Sequence, residues 1–447
     1  MKTRASQPAI NRHWDVLCHD IGHRTAGSTG EQEAADYIES RLQNLGLTDI
    51  QRHHFEFPNW SSSRCMLKVS VPGDPKMIRP PRRITSARAN SYSVSTPKKW
   101  IRGRLAYLQS GLPLDFDQPL KGKIGLLIGA LALSDEKLKQ RIMRSGLKAL
   151  LSVDTRVPFG WPVSQGAAPH WVDGFNVPMA GIAYHDAINL VEQLPSTAEL
   201  SIQARHFTSA SQNILGQIVG HEYPDEVILV SGHHDCVEEN VGADDNASGV
   251  IFMLELARIL SKHRLRRTVR FVSYGVEERL SIGSYLYMRS LSKAQQRKII
   301  FAANADGISS AVGTDHVRVT GTPPLERLVQ QTWRTGKHPA QISSSVHAYT
   351  DHFPFNIVGV PSVSLGRSAI VGGASWQLHS KHDNTDHVST KVLARSINTT
   401  AKLLLRIANV KTSLFTRRIN PILQRQVRSI ARDIYRHPWS PKDTATQ

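Results

Sequence analysis

The chain has 447 residues, 40% hydrophobic and 21% charged. That composition excludes a disordered polymer and leaves room for two or three domains with sizeable cores. No run approaches the roughly 18 apolar residues of a membrane span, and the basic start MKTRASQPAI lacks the apolar stretch of a signal peptide, so we expect a soluble, cytoplasmic protein with no membrane span. Three widely spaced cysteines (Cys18, Cys65, Cys236) exclude a dense disulfide framework, and the net charge of +18 is spread along the chain without a nucleic-acid module, so no specific nucleic-acid partner is expected.

From Asn11 to about Gly46 the pattern is helical, interrupted by the loop-forming HRTAGSTG. In EQEAADYIESRLQNLG, Ala35, Ile38, Leu42 and Leu45 share a face and Gly46 is placed to end the helix. QRHHFEFP then alternates like an edge strand, so residues 1–60 read as the opening of an α/β domain. Between 61 and 205 short strands with many Pro, Gly and Ser residues take over: KGKIGLLIGA, LKALLSVD and VPMAGI as strands, SDEKLKQRIMRSG as a helix. We read this stretch as an inserted β-rich domain.

Over 206–410 the α/β rhythm returns. Strands EVILVSG, TVRFVSYG, IIFAANADG and VPSVSLG alternate with the helical stretches SGVIFMLELARIL, SIGSYLYMRSLS, PPLERLVQQTWRTG and STKVLARSINTTAKLLLRIA. Such alternation predicts an α/β fold with a mostly parallel, mixed central sheet covered by helices on both faces. Residues 411–447 form a basic C-terminal extension, with a helix expected after Pro421 that packs through Ile422, Val427, Ile430 and Ile434.

In parallel sheets of this kind ligands bind beyond the carboxyl ends of the strands. Those ends carry His233 and Asp235 after the first strand, Glu277 and Glu278 after the second, Asp306 after the third, and His379 some residues after the last. A lone histidine at a strand end is ordinarily just hydrogen-bonded; the recurrence at one sheet edge points to metal. Histidine and carboxylate without thiolate favour zinc, with cobalt or manganese as relatives, and five ligands with one bridging carboxylate can hold two ions roughly 3.5 to 4 Å apart. Cys236 reads as a buried filler and not as a ligand.

SGHHD, GADDNASG, VEE followed by IGS, NADG, TDHFPF, GVPSVSLG and HSKHDNTD, in that order, resemble the zinc-dependent exopeptidases with co-catalytic metals, which include bacterial leucyl aminopeptidases and glutamate carboxypeptidases. GKIGLLIG, SGLKALLSV and VPMAGI resemble the protease-associated domain inserted in several exopeptidases. The first resemblance implies two zinc ions, with His233 and Asp306 on one, Glu278 and His379 on the other, and Asp244 bridging. It also implies that Asp235 orients the His233 ring, that the Asp244–Asp245 peptide is cis, and that Glu277 is the general base, taking a proton from water held between the metals. The sequence departs from the family where Arg279, Leu280 and Ser281 follow the glutamates, which bears on pocket shape more than on metal. Asp351 and His352 of TDHFPF either line the site or form a buried hydrogen-bonded pair.

The expected function is hydrolysis of terminal peptide bonds, with peptides as substrates and an aminopeptidase ahead of a carboxypeptidase. Glu238 or Glu239 are candidates to hold a free amine, and Arg279 or Arg367 to hold a free carboxylate. A glutaminyl-cyclase-like transferase with one zinc is disfavoured by the complete ligand set, and a non-catalytic binding protein by the presence of every ligand and the base.

Overall fold

The computed structural model describes residues 4–71, 80–128, 136–153 and 174–435. The chain divides into two compact units, one of Met1–Phe57 with Ala210–Asp433, the other of Pro58–Ser209 with Ile434–Gln447.

The second unit is not purely β. Strands Ile101–Tyr107, Ile124–Ile128, Ala149–Val153 and Met179–Gly181 pair in parallel in that order, and helices Glu136–Ser145 and Tyr184–Glu192 accompany them. Ile124, Leu126, Leu151, Ala180 and Leu190 form its core. Gly129 and Ala130 of KGKIGLLIGA, Ser134 and Asp135 of SDEKLKQRIMRSG, and Asp154 of LKALLSVD lie outside the described residues.

The first unit opens with α1 (Gln7–Trp14), capped by the Ser6 hydroxyl, and α2 (Thr29–Asn44), where Ser28 Oγ accepts from the Glu31 N–H at 3.2 Å. Gly46, at φ +73°, follows the end of α2. Then come β1 (Thr197–Ile218, in this unit from Ala210), β2 (Tyr223–His233), α3 (Ser248–Leu260), β3 (Arg267–Tyr274), α4 (Ile282–Ser290), β4 (Ile299–Ala305), β5 (Asp315–Thr320), α5 (Pro323–Thr335), β6 (Ala340–Ser344), β7 (Ser362–Arg367), α6 (Thr390–Asn409) and α7 (Pro421–Ile434).

The sheet order is β6-β5-β7-β4-β2-β3-β1. β7, β4, β2 and β3 run parallel, while β1 and β5 are antiparallel to their inner neighbours, so the sheet is mixed. β1, β5 and β6 add to the four strands expected over 206–410, because residues 210–218, DHVRVT and AQISS also pair into the sheet. Register aligns the carboxyl ends of the parallel strands: His233 faces Tyr274, and Ala305 faces Leu365.

α3 is buried on all sides, from Val250 to Leu260 with only Arg258 reaching outward. That explains why its sequence is nearly continuous in apolar residues, each large one contributing roughly 1.5–3 kcal/mol on burial. The start of α3 touches the end of β2: a Cβ on Gly232 would meet the Gly249 backbone at 2.6 Å, so that close approach requires glycine. On α7 Val427 and Ile434 are buried and Ile430 is half-buried, as expected, but Ile422 is 58% exposed and Leu423 is buried in its place. Residues 436–447 of the extension lie outside the described residues.

Candidate metal centre

Buried strands cannot end in charged groups unless those groups find partners. His233 closes β2, Glu277 and Glu278 follow β3, Asp306 follows β4, and the loop after β7 returns His379 to the same edge. His233 is fully buried, and its Nε2 faces Asp245 Oδ1 at 3.2 Å, Asp306 Oδ1 at 3.7 Å and Glu277 Oε2 at 3.7 Å. His379 Nε2 lies 3.2 Å from both Asp245 Oδ2 and Glu278 Oε2. Two three-residue groups result, His233–Asp245–Asp306 and Asp245–Glu278–His379, each with its ligand atoms within 4.8 Å of one another.

The carboxylate common to both groups is Asp245. This corrects the expected bridge: Asp244 is turned the other way, with Oδ1 accepting from the Ser309 N–H (2.7 Å) and Ser309 Oγ (2.6 Å), and Oδ2 from Ser375 Oγ (2.9 Å). With three donors satisfied, the Asp244 carboxylate is committed to holding the loop. The non-proline cis peptide is likewise one residue further on, at Asp245–Asn246. Asn246 in turn joins α3 to β4, accepting from the Gly249 N–H at 2.8 Å and donating to the Ala305 carbonyl at 2.9 Å.

Asp235 does more than the ring orientation expected of it. Its Oδ1 lies 3.4 Å from His233 Nδ1, and its two oxygens accept from the N–H groups of Glu277 (2.9 Å) and Glu278 (3.2 Å). Sequence reasoning missed Asp383, whose oxygens accept from the N–H groups of Asp244 (2.8 Å) and Asp245 (3.0 Å). It sits in the HSKHDNTD motif, and an acid four residues after a ligand was the available signal. Also missed were Arg24, fully buried and donating to the carbonyls of Leu17, Gly22, His234, Val241 and Gly242, and Glu31, which accepts from Ser211 Oγ and the Gly27 N–H.

Electrostatics follow from burial and crowding. Burial pushes the Glu277 carboxyl well above the usual range against the pull of His233, and Glu278 up to about 7, with Asp245 adding to the rise. Burial opposes protonation of His233, but Glu277, Asp235, Asp245 and Asp306 outweigh it and hold its pKa well above the ordinary value. Asp351 is fully buried and pushed up to about 7 by burial, with Asp235 and Asp306 adding to the rise and His233 opposing it, while His352 Nδ1 is taken by Thr350 Oγ1 at 2.6 Å.

The residues fit a metal. His233 Nε2, which faces the cluster, and Glu278 Oε1 are both buried without a hydrogen bond. Imidazole and carboxylate donors without thiolate suit zinc. Glu277 belongs to neither group of ligand atoms, and its Oε1 is held by Ser281 Oγ at 2.9 Å, which leaves Oε2 facing the centre. Of the residues considered for terminus recognition, Arg279 is ion-paired with Glu238, and Arg367 with Asp315.

Residues 213–404 match peptidase family M28. The chain is 26% identical over 391 residues to Aminopeptidase YwaD of Bacillus subtilis, covering 85% of this chain and 80% of that protein. It is 26% identical over 462 residues to a probable leucine aminopeptidase 2 of Aspergillus fumigatus, covering 94% and 88%. Two solved structures share the fold: a peptidase M28 precursor from Shewanella amazonensis (TM-score 0.79, 19% identity, 94% of this chain and 97% of that one) and a zinc aminopeptidase from Bacillus subtilis (TM-score 0.74, 22% identity, 94% and 100%). The matched segment spans β2 to α6 and contains every residue of the two ligand groups, so the chain carries a domain of peptidase family M28, a family of co-catalytic zinc exopeptidases.

Proposed function

We propose that the protein is an aminopeptidase that removes residues from the free amino end of peptides with two zinc ions at its centre. The observation that carries this reading is the placement of Asp245, one oxygen 3.2 Å from His233 Nε2 and the other 3.2 Å from His379 Nε2. His233, Asp245 and Asp306 would hold one ion, and Asp245, Glu278 and His379 the other, with zinc favoured over cobalt or manganese. When bound, the ions supply Lewis-acid polarisation of the scissile carbonyl and a lowered pKa for water.

The protein's own groups do the rest. Glu277 Oε2 accepts a proton from the attacking water and returns it to the leaving amine, while Ser281 fixes the other oxygen. Asp235 holds the base and its neighbour at a set height by gripping their N–H groups. Attack on the amino end is supported by the names of the relatives; the Arg279–Glu238 pair engages one candidate for each terminus and favours neither, while Arg367 is taken up by Asp315.

The test is an assay of the metal-loaded protein against free, N-blocked and C-blocked peptides, with a chelator control and metal analysis. We expect two zinc ions per chain, cleavage of free and C-blocked peptides only, and loss of activity with chelator. Cleavage of N-blocked but not C-blocked peptides would replace this reading with a carboxypeptidase.

A further inference from the structure

α5 and the last turn of α6 frame an open groove of about 670 Å³, a size typical of small-molecule sites. Arg327 and Arg334 stand seven residues apart on one face of α5, roughly 10 Å along its axis, and Arg406 comes from α6. Arg406 Nη2 donates to Gln331 Oε1 at 3.3 Å, which holds this guanidinium at the groove and leaves the Gln331 amide N–H groups to donate. Leu328 and Leu414 supply apolar lining, and no carboxylate lines the groove.

Among the described residues none of the three arginines has a carboxylate within ion-pair distance. The one acid of α5, Glu326, accepts from Gln330 at 3.2 Å and does not line the groove. Residues 387–432, which contribute Arg406 and Leu414, contain ten Lys and Arg and no Asp or Glu. None of the lining residues belongs to the metal centre.

We propose that this groove binds a compact polyphosphate. Three guanidinium groups lining one open groove offer paired N–H donors that suit tetrahedral phosphate oxygens and compensate several negative charges at once. A single carboxylate would satisfy only one of them.

The test is calorimetric titration of the full-length protein with inorganic tripolyphosphate at about 0.15 M salt, where diffuse surface attraction is largely screened. We expect saturable binding, weakened about tenfold or more in each of Arg327→Gln, Arg334→Gln and Arg406→Gln. All three side chains are exposed, so the variants fold. The double variant Arg425→Gln/Arg428→Gln removes two charges from the exposed face of α7 and should change affinity by less than about twofold. Heat from metal complexation is common to all variants and cancels in the comparison. Citrate, a tricarboxylate of similar charge, should bind about tenfold more weakly. Absence of saturable binding, equal loss in the α7 variant, unchanged affinity in the groove variants, or equal binding of citrate would each overturn the proposal.

Discussion

Asp244 and Asp245 are adjacent acids in one loop, and their exchange for asparagine separates bridging from loop support. In Asp245→Asn each side of the centre loses part of a charged ligand. Taking about 1.5–3 kcal/mol for a charged contact, two such contacts amount to about 3–6 kcal/mol, or 10² to 10⁴ in affinity for the metal pair. In Asp244→Asn the oxygen facing Ser309 survives and only the bond from Ser375 is lost outright. That variant should lose about 1–3 kcal/mol of stability and keep its metal. Metal analysis after dialysis against a zinc buffer, paired with urea unfolding, reads both quantities. If Asp244→Asn lost the metal while Asp245→Asn kept it, the roles of the two side chains would be exchanged and the bridge would be Asp244.

Glu277→Gln keeps the bond from Ser281 and should lower kcat by about 10² to 10⁴ with zinc content unchanged; depletion of zinc would mark Glu277 as a ligand. Asp383→Asn replaces one of the two oxygens that hold the Asp244 and Asp245 N–H groups with a donor, so zinc affinity should fall by about 10 to 100-fold, and an unchanged affinity would contradict a positioning role. Arg24→Met strips five carbonyls of their donor, three in the 234–242 loop and two at Leu17 and Gly22, and should cost at least about 3 kcal/mol in urea unfolding. Burial lowers the His13 imidazole to about 4 from 6.5, so the unfolded chain takes up a proton that the folded chain refuses. Its contribution is complete above pH 6.5 and is lost as pH falls toward 4, amounting to about 2 kcal/mol by pH 5; His13→Asn should flatten that part of the profile relative to wild type.

The parallel strands were legible because buried runs such as EVILVSG and IIFAANADG must end somewhere, and here they end in metal-ligand residue types. β6 escaped notice for a physical reason, whereas β5 carries a readable alternation in Val317 and Val319. β6 is a short edge strand whose residues are mostly exposed, so no apolar alternation marks it. The choice between Asp244 and Asp245 was not legible because neighbouring residues of equal chemistry are told apart only by which way the loop turns each side chain. Arg24, Glu31 and Asp383 were invisible for a related reason: they bind backbone groups of distant segments, which leaves no periodicity in sequence.

Asp235 and Asp383 together explain how two acidic pairs can be held at one sheet edge. Each pair, Asp244–Asp245 and Glu277–Glu278, follows a residue in the left-handed region nearby, Gly242 at φ +50° and Val276 at φ +59°. Such turns point consecutive N–H groups the same way and create a concavity suited to an anion. In both cases a buried carboxylate from another segment fills it with two hydrogen bonds, Asp383 under the aspartates and Asp235 under the glutamates. Four acidic side chains are thus fixed by gripping the backbone beneath them, which leaves the side chains of Asp245, Glu277 and Glu278 turned toward the histidines. The negative charge that this arrangement accumulates is destabilising by itself, and Asp383 is pushed well above the usual carboxylate range by burial and by Asp244 and Asp245. A cation-binding role gives that accumulation a compensating partner, whereas a purely structural role would leave it without one.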